Sequence, residues 1–128
     1  MILLDTHAWI FLVDDPKRLG RAARRAIAKE DRLGVAAVSM WELALLVEKN
    51  RLSLDRELLE WIRDALEQPR VELLPMSAAV VATAHQLRGA FDGGPGDRLI
   101  VATAVVEGVK LITKDARISE SGVIPVVW

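Results

Sequence analysis

Four short, mainly apolar runs, the first three each followed by a segment with helical character, constrain this chain more than any other feature. The runs are Ile2-Leu3-Leu4, Leu33 to Val38, Val71 to Leu74 and Val109 to Thr113, with Ile124 to Val127 as a candidate fifth. A strand that is apolar without alternation is covered on both faces, the pattern of parallel sheets. Between the runs, helices are expected at His7 to Val13, at 18–30, at Ser39 to Lys49, at Asp55 to Leu66, at Ser77 to Arg88 and at Asp97 to Glu107. Asp14-Asp15-Pro16 stops the first, and Gly108 closes the last as a C-cap. Alternation of this kind predicts an α/β fold with a mostly parallel sheet of four to five strands.

The 128 residues suit one domain. Counted with its 8 Gly, the 52% hydrophobic share exceeds the usual apolar content of roughly 45–50%. The surplus fits doubly covered strands, an apolar interface between subunits, or both, and it excludes disorder. The absence of Cys excludes a disulfide scaffold and a thiol nucleophile. The start of the chain lacks a basic segment and meets Asp5 too early for a signal peptide. No apolar run approaches the roughly 18–20 residues of a membrane helix. A cytoplasmic protein is therefore expected. A net charge of −1 offers no global attraction to nucleic acid. Locally, however, Lys17, Arg18, Arg21, Arg24, Arg25 and Lys29 form a run free of acids.

Four acids each have a local explanation. Asp5, after the first strand, reads as a helix N-cap. Glu42, three residues after Ser39, completes a capping-box pattern. Asp97 opens a helix and suits its dipole. Asp115, after the fourth strand, suits a turn. Their joint placement argues for more. In a parallel α/β sheet, all four fall at the carboxyl edge of the strands, where ligands bind at the reversal of strand order. Two carboxylates about 4 Å apart repel by about 4 kcal/mol at an effective dielectric of about 20. Such a group must protonate, separate or take up a cation. Oxygen donors without Cys or a His pair suit Mg²⁺ or Mn²⁺ rather than Zn²⁺. Hydrolysis of a phosphodiester is the chemistry such an edge serves.

At these residues the sequence resembles the PIN-domain family, and within it the VapC-type toxins of type II toxin–antitoxin pairs. The matching stretches are Leu3-Leu4-Asp5-Thr6-His7-Ala8-Trp9, Ser39-Met40-Trp41-Glu42-Leu43-Ala44, Asp97-Arg98-Leu99-Ile100-Val101-Ala102-Thr103-Ala104 and Leu111-Ile112-Thr113-Lys114-Asp115. The resemblance implies a three-layer α/β/α fold and a Mg²⁺- or Mn²⁺-dependent endoribonuclease. It also implies a homodimer inhibited by a VapB-type antitoxin. By motif position, Asp5 and Asp97 would be the firmest metal ligands. Glu42 would hold a metal-bound water or a second ion, and Asp115 would be a ligand or support one. Thr113 and Thr6 would orient a carboxylate or water. One departure stands out. Relatives often carry an acid three residues before the position of Asp97, where this chain has Gly94, with Asp92 nearby but out of register. That bears on the loop leading into the helix, not on the four acids.

Arg98 could pair with the scissile phosphate or hold a neighbouring carboxylate, and Lys114 is a comparable candidate. His7 reads as a polar residue of a first helical turn, with phosphate contact as the alternative. Trp9 and Trp41 read as core or interface, with stacking on RNA bases as the alternative, and Trp61 reads as packing. The basic run reads as a solvated helix face, with RNA contact or partner pairing as alternatives. The rival to a nuclease is a catalytically inert PIN-like module that binds protein or RNA. A phosphohydrolase or receiver domain is disfavoured, because Asp5-Thr6-His7 lacks the DxDx[TV] signature and Leu73-Leu74-Pro75 offers no acid after the third strand.

Overall fold

A computed structural model describes residues 1–128. Its strands are β1 (Ile2–Leu4), β2 (Leu33–Ala36), β3 (Val71–Leu74), β4 (Leu111–Ile112) and β5 (Val126–Val127). They form one sheet in the order β3-β2-β1-β4-β5, with every pair parallel. The helices are α1 (Thr6–Asp14), α2 (Arg21–Lys29), α3 (Ala37–Glu48), α4 (Leu58–Leu66), α5 (Ala78–Gln86), α6 (Pro95–Glu107) and α7 (Ala116–Ser121).

The strand pleat sorts the core into two layers. Ile2, Leu4, Leu33, Val35 and Ile112 pack with Trp9, Phe11, Ile27 and Trp61 on one side of the sheet. Leu3, Leu74 and Leu111 pack with Ile100, Val101, Ala104 and Ile118 on the other. This is the expected three-layer α/β/α arrangement, and it explains why the inner strands β1, β2 and β4 carry no polar alternation. Trp9 and Trp61 meet edge to face, with ring centres 5.3 Å apart at 71°. Such a pair adds about 0.5–1.5 kcal/mol beyond the area it buries. Trp61 Nε1 donates to Asp14 Oδ1 at 3.2 Å, so its polar end is satisfied where α4 meets the end of α1.

Several boundaries differ from those read in the sequence: β4 and β5 are shorter, and α6 begins at Pro95 rather than Asp97. The expected helix at 18–30 is split into a 3₁₀ turn at Pro16–Arg18 and α2. The chain between them passes against Trp128, whose carbonyl accepts from Ala23 N–H at 3.0 Å, and a Cβ at Gly20 would collide with it. The run Leu33 to Val38 leaves the sheet after Ala36, and α3 begins at Ala37 rather than Ser39. The α4 helix begins at Leu58 rather than Asp55. A further helix, α7, follows β4; Asp115 caps it and Gly122, at φ 68°, ends it. Its six residues are too few to show a helical period. Gly108 does close α6, at φ 66°, in the left-handed region where a side chain is strained.

From β1 the chain moves outward through β2 to β3, then crosses back to place β4 on the other side of β1. The strand order therefore reverses beside β1, and the crevice this leaves lies at the carboxyl ends of β1 and β4.

Candidate active site at the carboxyl edge

Asp5 leaves β1 with its N–H donating to the carbonyl of Ile112 at 3.1 Å, so it is tied across to β4. Its Oδ1 accepts from Ala8 N–H at 2.7 Å and caps α1. The capping explanation is therefore correct. It occupies one oxygen, while the carboxylate also lines a cleft with Thr6, His7, Glu42 and Asp97. Burial raises the Asp5 carboxyl above its ordinary range. The neighbouring Thr113 hydroxyl and the Ala8 N–H pull it down, and the Asp97 charge pushes it up.

The capping-box reading of Ser39 and Glu42 is overturned. Ala36 is the cap position of α3, so Ser39 lies inside the helix, fully buried, and Glu42 lies in its second turn. Thr6 Oγ1 sits 2.5 Å from Glu42 Oε1 and 3.0 Å from Ser39 Oγ. A carboxylate only accepts, and a hydroxyl has one proton. Thr6 therefore donates to Glu42, and Ser39 donates to Thr6. This relay fixes one oxygen of Glu42. The other lies against Gly96 in the first turn of α6, where a Cβ would collide with it. Burial pushes the Glu42 carboxyl up; the Thr6 bond lowers it, and the charges of Asp97 and Asp5 raise it again.

Asp97 is the third residue of α6. Its Oδ2 accepts from Gly94 N–H at 3.2 Å and from Arg117 Nη2 at 3.4 Å. Gly94 thus serves as the cap position of α6. Asp115 belongs to the same edge, in an adjoining cleft shared with Asp5 and Asp97. It caps α7 through Arg117 N–H, at 2.9 Å. It also takes both arms of the Arg117 guanidinium, at 3.0 and 2.6 Å. That cation holds the Asp115 carboxyl below the usual carboxylate range. Arg117 donates as well to the Asp92 carbonyl at 2.6 Å, tying α7 to the loop before α6. Thr113 is buried, and its Oγ1 accepts from Asp115 N–H at 3.1 Å.

Arg98 does neither job considered for it. Its guanidinium turns toward α5 and donates to the Ala84 carbonyl at 3.4 Å. The arginine on the carboxylates is Arg117, which the sequence reading missed because it lies on a helix too short to recognise. Ser39 was missed because the start of α3 was placed at that residue. Trp9 and Trp61 are core as expected; Trp41 is not, being 62% exposed. His7 is exposed and borders both clefts.

The donor set fits a hard divalent cation in a restricted way. No three His, Asp or Glu side chains converge at ligand spacing around one point. Mg²⁺ needs only one or two protein carboxylates and keeps waters for the rest of its shell. Asp5 and Glu42 are desolvated acids with no cation in ion-pair contact, and both face the charge of Asp97. A bound cation would relieve this. Asp115 already has its counterion in Arg117.

Comparison with known proteins agrees with this architecture. The profile of the PIN domain matches residues 2–123. Over 117 residues the chain is 42% identical to Ribonuclease VapC22 of Mycobacterium tuberculosis (strain ATCC 25618 / H37Rv), covering 91% of this chain and 88% of that protein. VapBC2 from Rickettsia felis, solved on a DNA fragment from its promoter, superposes with a TM-score of 0.72 at 20% identity, over 98% of this chain and 97% of that one. A toxin–antitoxin complex from Klebsiella pneumoniae gives 0.69 at 20% identity, over 97% and 95%. At such identities the structures speak for the fold, and the family profile and the ribonuclease speak for descent. The acid-bearing edge of this parallel sheet is that of a PIN domain, and the chain belongs to the PIN-domain family.

Proposed function

We propose that residues 1–128 form a single PIN domain that acts as an endoribonuclease, the toxin of a type II toxin–antitoxin pair, using Mg²⁺ or Mn²⁺. The supporting observation is the pair of desolvated, cation-free carboxylates, Asp5 and Glu42, facing Asp97 in one cleft. The 42% identity to a VapC ribonuclease directs that chemistry to RNA. Asp5 and Asp97 would hold the ion. When bound, it would neutralise charge at the phosphodiester and lower the pKa of a water. Glu42, fixed by the Ser39–Thr6 relay, orients the attacking water and accepts its proton. Thr113 and the Asp115–Arg117 pair hold α7 and the loop before α6 in register with the acids.

Similarity to VapBC complexes supports a VapB-type antitoxin as partner. The exposed apolar face around Trp41 and Met76, beside Leu45 and Leu99, supports a homodimer. No helix is long and apolar enough to cross a membrane, and we place the protein in the cytoplasm.

The deciding experiment is cleavage of a panel of labelled structured RNAs by antitoxin-free protein in Mg²⁺, Mn²⁺ or EDTA, beside Asp5→Asn. Cuts that need the metal and vanish in the variant are expected. A folded protein that neither cuts nor binds metal would overturn the proposal in favour of an inert binding module.

A further inference from the structure

Arg18 and Lys114 share a position that the acid site does not explain. Arg18 ends the 3₁₀ turn after α1, and Lys114 follows β4. They come from segments far apart in sequence, yet both stand over one ring. The Arg18 guanidinium lies 4.3 Å from the centre of Phe11, and Lys114 Nζ lies 5.5 Å from it and 6.0 Å from Trp128. Neither forms an ion pair with a carboxylate, whereas Arg117 in the same cleft forms two. Two like charges held beside one aromatic ring repel each other. The cation–π contacts hold them in place without neutralising them. Both line the cleft that opens onto Asp5, Asp97 and Asp115.

We infer that this cleft is the track for the RNA backbone on the β4 side of the reaction centre, with Arg18 and Lys114 gripping phosphates next to the scissile one. The inference rests on the ribonuclease reading above. A strand whose scissile phosphate lies at Asp5 and Asp97 must leave the acids on some side. This side offers two uncompensated cations, and the exposed His7 borders it. The assignment also divides the basic run. Arg18 belongs to the site, while Arg21, Arg24, Arg25 and Lys29 are exposed on α2 and line no part of this cleft.

The test is steady-state cleavage of a labelled single-stranded RNA across a salt series. Wild type is compared with Arg18→Ala/Lys114→Ala, with each single variant, and with Arg24→Ala/Arg25→Ala, which removes equal charge from α2. The site double variant is expected to raise KM at least about 10-fold with kcat within about 3-fold. The slope of log KM against log salt should fall by about 1.4, from about 0.7 per phosphate contact on single strands. Each single variant should show about half that change, so the result stands even if the double variant folds poorly. Arg18→Lys/Lys114→Arg should keep the wild-type slope, as should the α2 variant. Unchanged KM and slope in the site variants, with wild type active, would overturn the inference and assign the cleft to a protein partner. Equal losses in the α2 variant would overturn it in favour of diffuse charge. A folded wild type that neither cleaves any RNA of the panel nor binds metal would overturn both this inference and the function it rests on.

Discussion

At the scale of single residues, the site is set by close approach. Glu42 lies against Gly96 because no Cβ stands there. The obstructing atoms are the end of a flexible side chain, so Gly96→Ala should fold. Gly96 lies in the first turn of α6 without a positive φ, and alanine there restricts the unfolded chain, so stability should hold or rise by under about 1 kcal/mol. The carboxylate, however, must move, and a displacement of about 1 Å at a reacting group can cost about 10²-fold in rate. The expected outcome is an unchanged or raised Tm with cleavage down about 10²-fold, measured on the same preparation. Asp5 gives a pH prediction. Its carboxyl is raised in the folded state by burial. The fold therefore gains stability when it is protonated, fully so below the unfolded carboxylate pKa, and loses that gain as pH rises through the folded value. Metal-free Asp5→Asn should melt above wild type at pH 7, with the gap closing toward about pH 4. Adding Mg²⁺ at pH 7 should raise Tm in wild type and much less in the variant. A wild type that gains stability steadily from pH 4 to 7 without metal would contradict the assignment.

At the scale of elements, Arg117 carries the joint between α7, Asp97 and the loop holding Asp92. Its side chain is 51% exposed, so solvent screens the pairs and their loss should leave the melting temperature nearly unchanged. The larger effect is positional. Arg117→Ala should increase amide exchange in residues 90–97 and 115–121, leave the β1 amides protected, and slow cleavage. Arg117→Lys should recover little, because one ammonium cannot reproduce the forked contact with Asp115 while reaching the Asp92 carbonyl.

At the scale of the whole molecule, the apolar surplus in the composition has two destinations. Most lies in the two layers around the sheet. Part of the rest is on the surface, at Leu59, Val81 and elsewhere, and at Trp41 and Met76, 62% and 48% exposed, which border one cleft. An exposed tryptophan beside other apolar groups marks an interface, and the homodimer proposal uses this one. Trp41→Ser should leave the melting transition of the protomer intact and shift sedimentation toward monomer at micromolar concentration. Unaltered sedimentation would place the subunit contact elsewhere.

What the sequence alone determined follows from local chemistry and from topology. Short, mainly apolar runs bounded by turn residues suit strands covered on both sides, and alternation with helices makes those strands parallel. Parallel strands put every acid that follows a strand, or starts a helix feeding one, at a single edge. Asp5, Asp97 and Asp115 were therefore legible as a group; Glu42 was added on a first-turn reading of α3, whereas it lines the cleft from the second turn. Three matters were decided only by tertiary packing. Whether Ser39 caps a helix or supports Thr6 depends on where α3 begins, two residues earlier than Ser39 itself suggests. Which arginine meets the carboxylates depends on helix rotation. Arg98 turns to α5 while Arg117, on a six-residue helix with no readable period, turns to Asp97 and Asp115. The pairing of Arg18 with Lys114 over Phe11 joins residues nearly a hundred positions apart. Short-range pattern fixes periodicity and caps, whereas side-chain direction and long-range contact arise only when the layers close against each other.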